Sequence, residues 1–245
     1  MIRSIEDVID YLRNFHKCWM DSPGIDPRLI PSDLPYGLAL IYRELGQLVD
    51  LKPGAANGNS NLFGTQDYLF GLDRLERHGE MIEFCMENQG NWTCRCQAGQ
   101  VDPAVYSDVD RHEADVYEVI CSSLNHFLIT LCLQEAVFSA PFLCNFNIPL
   151  SGALNSGVSL APVWLKGKYV WNKPTHNFFE IPGEDILIMG NGPGRGFSLA
   201  SHTDSVLQFF KGSAQSSHLW PHRNGPSRLV NVVTNQDGTY RFTMS

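Results

Sequence analysis

MIEFCMENQGNWTCRCQAGQVDPAVY, residues 81–106, is the stretch on which the reading of this 245-residue chain turns. Ile82, Phe84 and Met86 alternate with Glu83, Cys85 and Glu87. Past a short polar segment, Trp92, Cys94 and Cys96 alternate with Thr93, Arg95 and Gln97. Period-two patterning on both sides of a turn predicts a β-hairpin. A three-residue loop, Asn88-Gln89-Gly90, puts Gly90 where a type I turn with a G1 bulge requires positive φ. In that register Met86 faces Trp92, Phe84 faces Cys94 and Ile82 faces Cys96 on the apolar side. Glu83 meets Arg95 on the other side as an opposite-charge pair. A two-residue loop sets apolar positions against polar ones and is rejected.

Upstream, Ser4 and Asp7 form a capping-box pattern, and Ile5, Val8, Ile9, Leu12, Phe15 and Trp19 follow helical spacing, so residues 4–20 are expected to be an amphipathic helix. Ser32 or Asp33 caps a second helix with Pro35 in its first turn. Leu38, Ile41, Tyr42 and Leu45 share one face, and Gly46 is the expected stop. Residues 52–61 are turn chemistry. A short strand is expected over 67–72 and a turn of helix over 73–78. Beyond the hairpin, a run of acids leads into a long helix over about 113–139 whose apolar positions almost surround it. His16 and His126 fall inside expected helices and read as packed histidines.

Past Pro141 the chain turns rich in Gly, Ser, Asn and Pro, and 144–161 reads as a crossing loop. Strands are expected beyond it: a hairpin across Lys166-Gly167-Lys168, strands at 185–189 and 197–200, and a hairpin at Asp237-Gly238 joining 229–234 to 239–244. Thr203 caps a short helix through Phe210, and 212–227 reads as loop.

Glu87-Asn88-Gln89-Gly90, the aromatic Trp92, and Asp102-Pro103 followed by Val105-Tyr106 resemble the SUKH superfamily, the Smi/Knr-like proteins. Leu34-Pro35 opening a helix that carries Tyr42 and Gly46 fits the same pattern. The resemblance covers about the first 140 residues. It implies a compact α+β interaction module, of a kind that in many bacterial members is an immunity protein neutralising a toxin.

Charge narrows the partner. Between Asp67 and Glu118 there are 12 acids against four arginines and no lysine, a net of −8; outside that segment 14 acids balance 14 bases. Phosphate binding needs a positive surface, so nucleic acid is disfavoured and a basic protein partner fits. Asp108, Asp110, Glu113 and Asp115, just after Tyr106, form the expected partner-binding patch. The N-terminus carries acids within an amphipathic pattern, unlike a secretory leader. The most apolar stretch, 119–143, is interrupted by Asn125, His126, Gln134 and Glu135, which a membrane span rarely carries. Seven scattered cysteines show no disulfide framework, and a cytoplasmic location is expected.

Catalytic motifs are weak. Gly190-Asn191-Gly192-Pro193-Gly194-Arg195-Gly196 lacks the Lys-Ser/Thr of a phosphate loop and reads as a turn. Ser159 and Ser198 sit in partial nucleophile-elbow patterns without the strand-turn-helix context. Cys94 and Cys96 share a strand face and read as buried hydrophobes. His218 and His222 have ligand spacing but Pro221 lies between them. Glu87 as a general base lacks a nucleophile or metal beside it; Asn88 and Gln89 are better placed to hold the turn. No cofactor or metal is expected. The expected protein is therefore α+β, a mainly antiparallel sheet with helices on one face, and a β-rich C-terminal extension completing or adjoining that sheet. Residues 1–143 would be the SUKH-like domain and 144–245 the β-rich region, packed on it as one globule. It would bind a toxin, such as a nuclease, without catalysis. The alternatives are a regulatory scaffold of the same fold, or a serine hydrolase.

Overall fold

A computed structural model describes residues 1–15, 24–49, 62–63, 65–108, 116–140, 142–146, 150–169, 174–190, 196–210, 214–219, 228–234 and 240–244. Among them the chain is α+β, with four α-helices and two antiparallel sheets. The helices are α1 (Ile5–Phe15), α2 (Tyr36–Val49), α3 (Leu124–Phe138) and α4 (Leu150–Ala153). The first sheet contains β1 (Asp67–Leu69), β2 (Glu76–His78), β3 (Met81–Glu87), β4 (Thr93–Gln97), β5 (Val105–Ser107) and β6 (Glu118–Cys121). Its order is β1-β3-β4-β5-β6, with β2 also paired to β3. The second sheet contains β7 (Phe142–Phe146), β8 (Ala161–Lys168), β9 (Pro174–Glu180), β10 (Ile186–Gly190), β11 (Phe197–Ser201), β12 (Ala214–Leu219), β13 (Arg228–Thr234) and β14 (Tyr240–Met244). Its order is β14-β13-β12-β7-β11-β10-β9-β8. The chain divides into two compact units, residues 2–135 with 167–174, and residues 136–166 with 175–245 and Met1. The C-terminal strands thus build a sheet of their own around β7 rather than extending the first.

In the first unit the N-terminal helix buries Ile5, Val8, Ile9, Leu12 and Phe15, the stripe the spacing predicts. Ser4 Oγ accepts from the Asp7 amide at 3.2 Å, and Asp7 reaches back to the Arg3 amide at 2.8 Å. That is a capping box displaced by one residue. Residues 16–20, His16 and Trp19 among them, lie outside the described residues, as does 52–61. The second helix does not stop at Gly46 but continues to Val49. Gly46 is an interior contact: a Cβ there would sit 2.5 Å from Ile25 Cδ1, so the missing side chain is what lets Ile25 approach.

The long helix begins at Leu124, not near 113, because Val119-Ile120-Cys121 pair as β6 with β5. Ser123 is the cap, its hydroxyl accepting from the His126 amide at 3.1 Å. Asp102 then accepts from both the Ser123 hydroxyl (2.7 Å) and the Asn125 amide (2.8 Å). A carboxylate at a helix N-terminus is favoured by the orphan N–H groups and the macrodipole. The predicted turn of helix over 73–78 is instead a single 3-10 turn at Leu72–Arg74 followed by β2.

The central hairpin forms with one more loop residue than predicted. Gly90 does take positive φ, 73°, and its amide donates to the Glu87 carbonyl at 3.0 Å. Glu87 and Trp92, not Glu87 and Asn91, close the loop, through the Glu87 amide and the Trp92 carbonyl at 3.1 Å. Ile82↔Cys96 and Glu83↔Arg95 pair as predicted, but a bulge at Phe84 then gives Cys85↔Cys94 and Met86↔Thr93. The extra loop residue inverts the in-out phase and the bulge restores it. In consequence Phe84 and Cys85 are both fully buried, while Met86, expected inside, is only half-buried. On the apolar side Phe84 meets Phe127 of α3 edge-on at 5.8 Å, so this helix packs on one face of the sheet.

In the second unit β10 and β11 pair as a hairpin, as do β13 and β14, with the intervening residues 191–195 and 235–239 outside those described. Four expectations are corrected. The segment read as a crossing loop contains β7 and α4; Phe142, Cys144 and Phe146 alternate inward as a buried strand does, and Phe146 stacks on its register partner Phe197 at 4.5 Å. No turn forms at Lys166-Gly167-Lys168: β8 runs through it beside β9, with Lys166 at φ 57° and its amide held by Asn177 Oδ1 at 2.9 Å. Residues 214–219 form β12, paired to β7 and β13. Thr203 precedes a 3-10 helix, Asp204–Phe209, without a side-chain cap.

The bulged register makes a prediction. Phe84→Ala should cost about 3–5 kcal/mol, the usual range for emptying a buried aromatic site, and Met86→Ala much less. Equal losses in denaturant melts would return Met86 to the core and contradict the bulge.

Candidate functional site

The motif residues do not converge on one site. Glu87, Asn88, Gln89, Gly90 and Trp92 form the turn at one end of β4, while Asp102, Pro103, Val105 and Tyr106 follow its other end. Glu87 Oε2 accepts from the Asn91 amide at 3.1 Å and the Asn88 amide donates to the Gln66 carbonyl at 3.3 Å, so both brace the turn. Asn88 Oδ1 is buried with no hydrogen-bond partner among the described residues, and Gln89 is exposed at the tip. Trp92 packs edge-on against Tyr169 at 5.9 Å. Asp102 caps α3, as does the Pro103 carbonyl, which receives the Leu124 amide at 2.8 Å; Val105 is buried and Tyr106 half-buried in β5.

Of the acidic patch, Asp110, Glu113 and Asp115 lie outside the described residues. Asp108 is half-buried and accepts from the Thr93 amide at 2.6 Å, closing the end of the sheet beside the turn.

The polar face of the first sheet carries a cluster that only partly follows from sequence. Arg95 Nε donates to Glu83 Oε2 at 2.8 Å, the cross-strand pair the register predicts, with both side chains largely buried. Tyr117 lies under the guanidinium, its ring 4.0 Å from Arg95 Cζ, a cation–π contact. Its hydroxyl shares a hydrogen bond with Thr93 Oγ1 at 2.7 Å and reaches Glu83 Oε2 at 3.4 Å. Burial pushes the Tyr117 phenol up to about 12. On the far side, His78 Nε2 stands 3.6 Å from Glu83 and 3.8 Å from Glu76. By sequence pattern alone Tyr117 falls in a helix and 76–78 in a helical turn, so neither is aligned with Glu83. Once β2 and β6 are read as strands, both are.

A second polar group is buried. Glu135, fully inside, accepts the backbone amides of Thr65 (3.2 Å), Gln66 (3.0 Å) and Asp67 (3.0 Å). Asp67 Oδ2 accepts from Tyr169 Oη and Gln134 Nε2, each at 2.6 Å. Burial pushes Glu135 up to about 8, with the Asp67 charge adding to it and the three amides opposing. Asp67 is pushed to about 6, again by burial, against the pull of Tyr169 and Gln134.

The remaining candidates sit in settled environments. Burial pushes the Cys85 and Cys94 thiols well above their ordinary range and Cys96 up to about 12, which suppresses the reactive thiolate. Ser198 is buried in β11 and its hydroxyl donates to Asn145 Oδ1 at 2.8 Å. Ser159 is exposed in the segment after α4, and His126 Nε2 accepts from the Lys168 amide at 2.9 Å. His218 lies in β12, and His222 lies outside the described residues.

Comparison with family models, with curated proteins and with solved structures returns no match in any of the three. No helix among the described residues is long and apolar enough to cross a membrane.

The buried carboxyls predict a pH dependence with a definite sign. Both hold protons to higher pH in the fold than when unfolded. Their contribution is complete below about pH 4 and is lost as pH rises through about 6 and 8. Melting temperature should fall across that window. Glu135→Gln, which cannot titrate, should flatten the upper part of the slope even if it lowers stability throughout. An unchanged slope would mean that Glu135 keeps its charge in the fold.

Proposed function

We propose that this chain is a non-catalytic protein-binding module whose partner docks on the acidic first sheet. In this reading it is an immunity-type member of the SUKH superfamily, met in the cytoplasm by a toxin; a nuclease with a basic groove is the fitting class. The observation that carries the reading is a coincidence of charge and fold. The segment 67–118, net −8, runs from the first residue of β1 to the first residue of β6, so the chain's entire charge surplus falls on one sheet and its connections.

Internal duties sort those acids. Asp67 is buried, Glu83 is paired with Arg95, Glu87 braces the turn, Asp102 caps a helix and Asp108 holds Thr93. Asp73, Glu76, Glu80 and Glu118 are all exposed, Glu80 while also accepting from Gln97 Nε2 at 3.2 Å, and they extend the docking surface beyond the 108–115 run. An opposite potential on the partner would speed encounter and resist wrong partners.

The motif residues support the same reading through scaffolding: the turn and the helix cap hold the sheet that displays the charge. A regulatory scaffold of this fold would use the same surface with a different basic partner. The hydrolase reading is weakened by Ser198, whose hydroxyl is buried and committed to Asn145.

The test uses whatever partner co-purifies from the native host. Removing three exposed charges together, Asp73→Asn, Glu80→Gln and Glu118→Gln, should slow association about tenfold at low salt and flatten its salt dependence. Association at the wild-type rate would place the interface elsewhere.

A further inference from the structure

We propose that the β2–β3 hairpin binds one divalent transition-metal ion through His78, Glu76 and Glu83, with Zn²⁺ as the fitting probe. Glu76 and Glu83 are register partners, so their side chains stand opposite one another on the same face. His78 lies two residues from Glu76, and period-two geometry returns it to that face. The ligand atoms of all three lie within 4.8 Å of one another, the one such group of three among the described residues. A two-residue turn, Gly79-Glu80, with Gly79 at φ 64° and His78 paired to Met81, ties the strands tightly and fixes the spacing.

The distances suit an ion. Donors about 2.1 Å from a tetrahedral zinc stand about 3.4 Å apart. His78 Nε2 is 3.6 Å from Glu83 Oε2 and 3.8 Å from Glu76 Oε2, so small side-chain rotations close the site. The electrostatics ask for a cation as well, since like charges directly opposite on a ladder repel. Arg95 offsets Glu83 from one side only, and Glu76 and His78 face it from the other. Arg95 and Tyr117 also fix the Glu83 carboxylate, as the outer partners of metal-ligating carboxylates do. One imidazole and two carboxylates suit zinc or a neighbouring first-row ion better than soft Cu(I). Three protein ligands leave a fourth position for water or a group from outside. The Arg95 charge keeps the affinity below that of a closed structural site. The ligands meet across a turn, which is why their spacing along the chain does not announce a metal. The site shares the acidic sheet with the proposed partner surface but does not depend on that reading.

Isothermal titration of ZnCl₂ into the metal-free full chain, near neutral pH in a non-coordinating buffer, tests it. One ion should bind per chain and raise the melting temperature. His78→Ala and Glu76→Gln should each weaken binding at least about tenfold. Both positions are solvent-accessible, and a melting temperature matching wild type without metal verifies that each variant is folded. His218→Ala and His222→Ala should bind as wild type does. The site is overturned by an absence of saturable binding, by unchanged affinity in His78→Ala, or by loss on replacing His218 or His222 instead.

Discussion

The fold of the first unit depends on a carboxyl group that has left water. Glu135, near the C-terminal end of α3, receives three consecutive backbone amides, those of residues 65–67, where β1 starts. Burying a carboxyl costs several kcal/mol unless hydrogen bonds replace its hydration, and three donors on two oxygens do so. The next link is Asp67 itself, held by Tyr169 and Gln134. At its other end α3 is capped by Ser123, just before its first turn, and by Asp102 from the β4–β5 connection. One helix is thereby pinned to the first strand and to the middle of the same sheet. Asp67 and Asp102 in these attachments belong to the segment that gives the chain its net charge, and Glu135 lies outside it.

Between those pins the sheet has two distinct faces. The inner one is aromatic: Phe84 meets Phe127, Phe127 stacks on Tyr169 at 4.9 Å, and Tyr169 meets Trp92. The outer one is ionic, built on Glu83, Arg95 and Tyr117 with His78 and Glu76 at its margin. The bulge at Phe84 makes both faces possible with a loop of even length. The functional proposal places the docking surface on this sheet and its tight turns, where charges can be presented without the ordering cost that a flexible loop would bear.

Much of this was legible in the residues, for physical reasons that can be named. Alternation in 82–86 and 92–97 is a strong local signal, and it located the hairpin, the Glu83–Arg95 pair and the left-handed Gly90. The spacing of Ile5, Val8, Leu12 and Phe15 located α1 equally well. The failures cluster where a local signal competes with a distant partner. Val119-Ile120-Cys121 joins smoothly to an apolar helix in sequence, and only pairing with β5 makes it a strand. Gly46 is a stop signal overridden by the approach of Ile25. Cys144–Phe146 reads as irregular, yet β11 and β12 on either side make β7 a central strand. The bulge was not legible, because one extra residue in the turn and one in the strand cancel in the pattern. The resemblance motifs pointed to scaffold positions, while the exposed Glu76 carboxylate of the outer face emerged only with β2 in place.

Carboxyl footprinting locates the docking face acid by acid. Glycine ethyl ester coupling by carbodiimide labels solvent-reachable acids, and mass spectrometry reads each one in the free chain and in the partner-bound chain. The account predicts that Asp73, Glu76, Glu80 and Glu118 label in the free protein and are protected in the complex, while Glu184 and Asp185, exposed in the second unit, label equally in both. Protection of Glu184 and Asp185 with unchanged labelling at Glu76 and Glu80 would contradict it and move the interface off the acidic sheet.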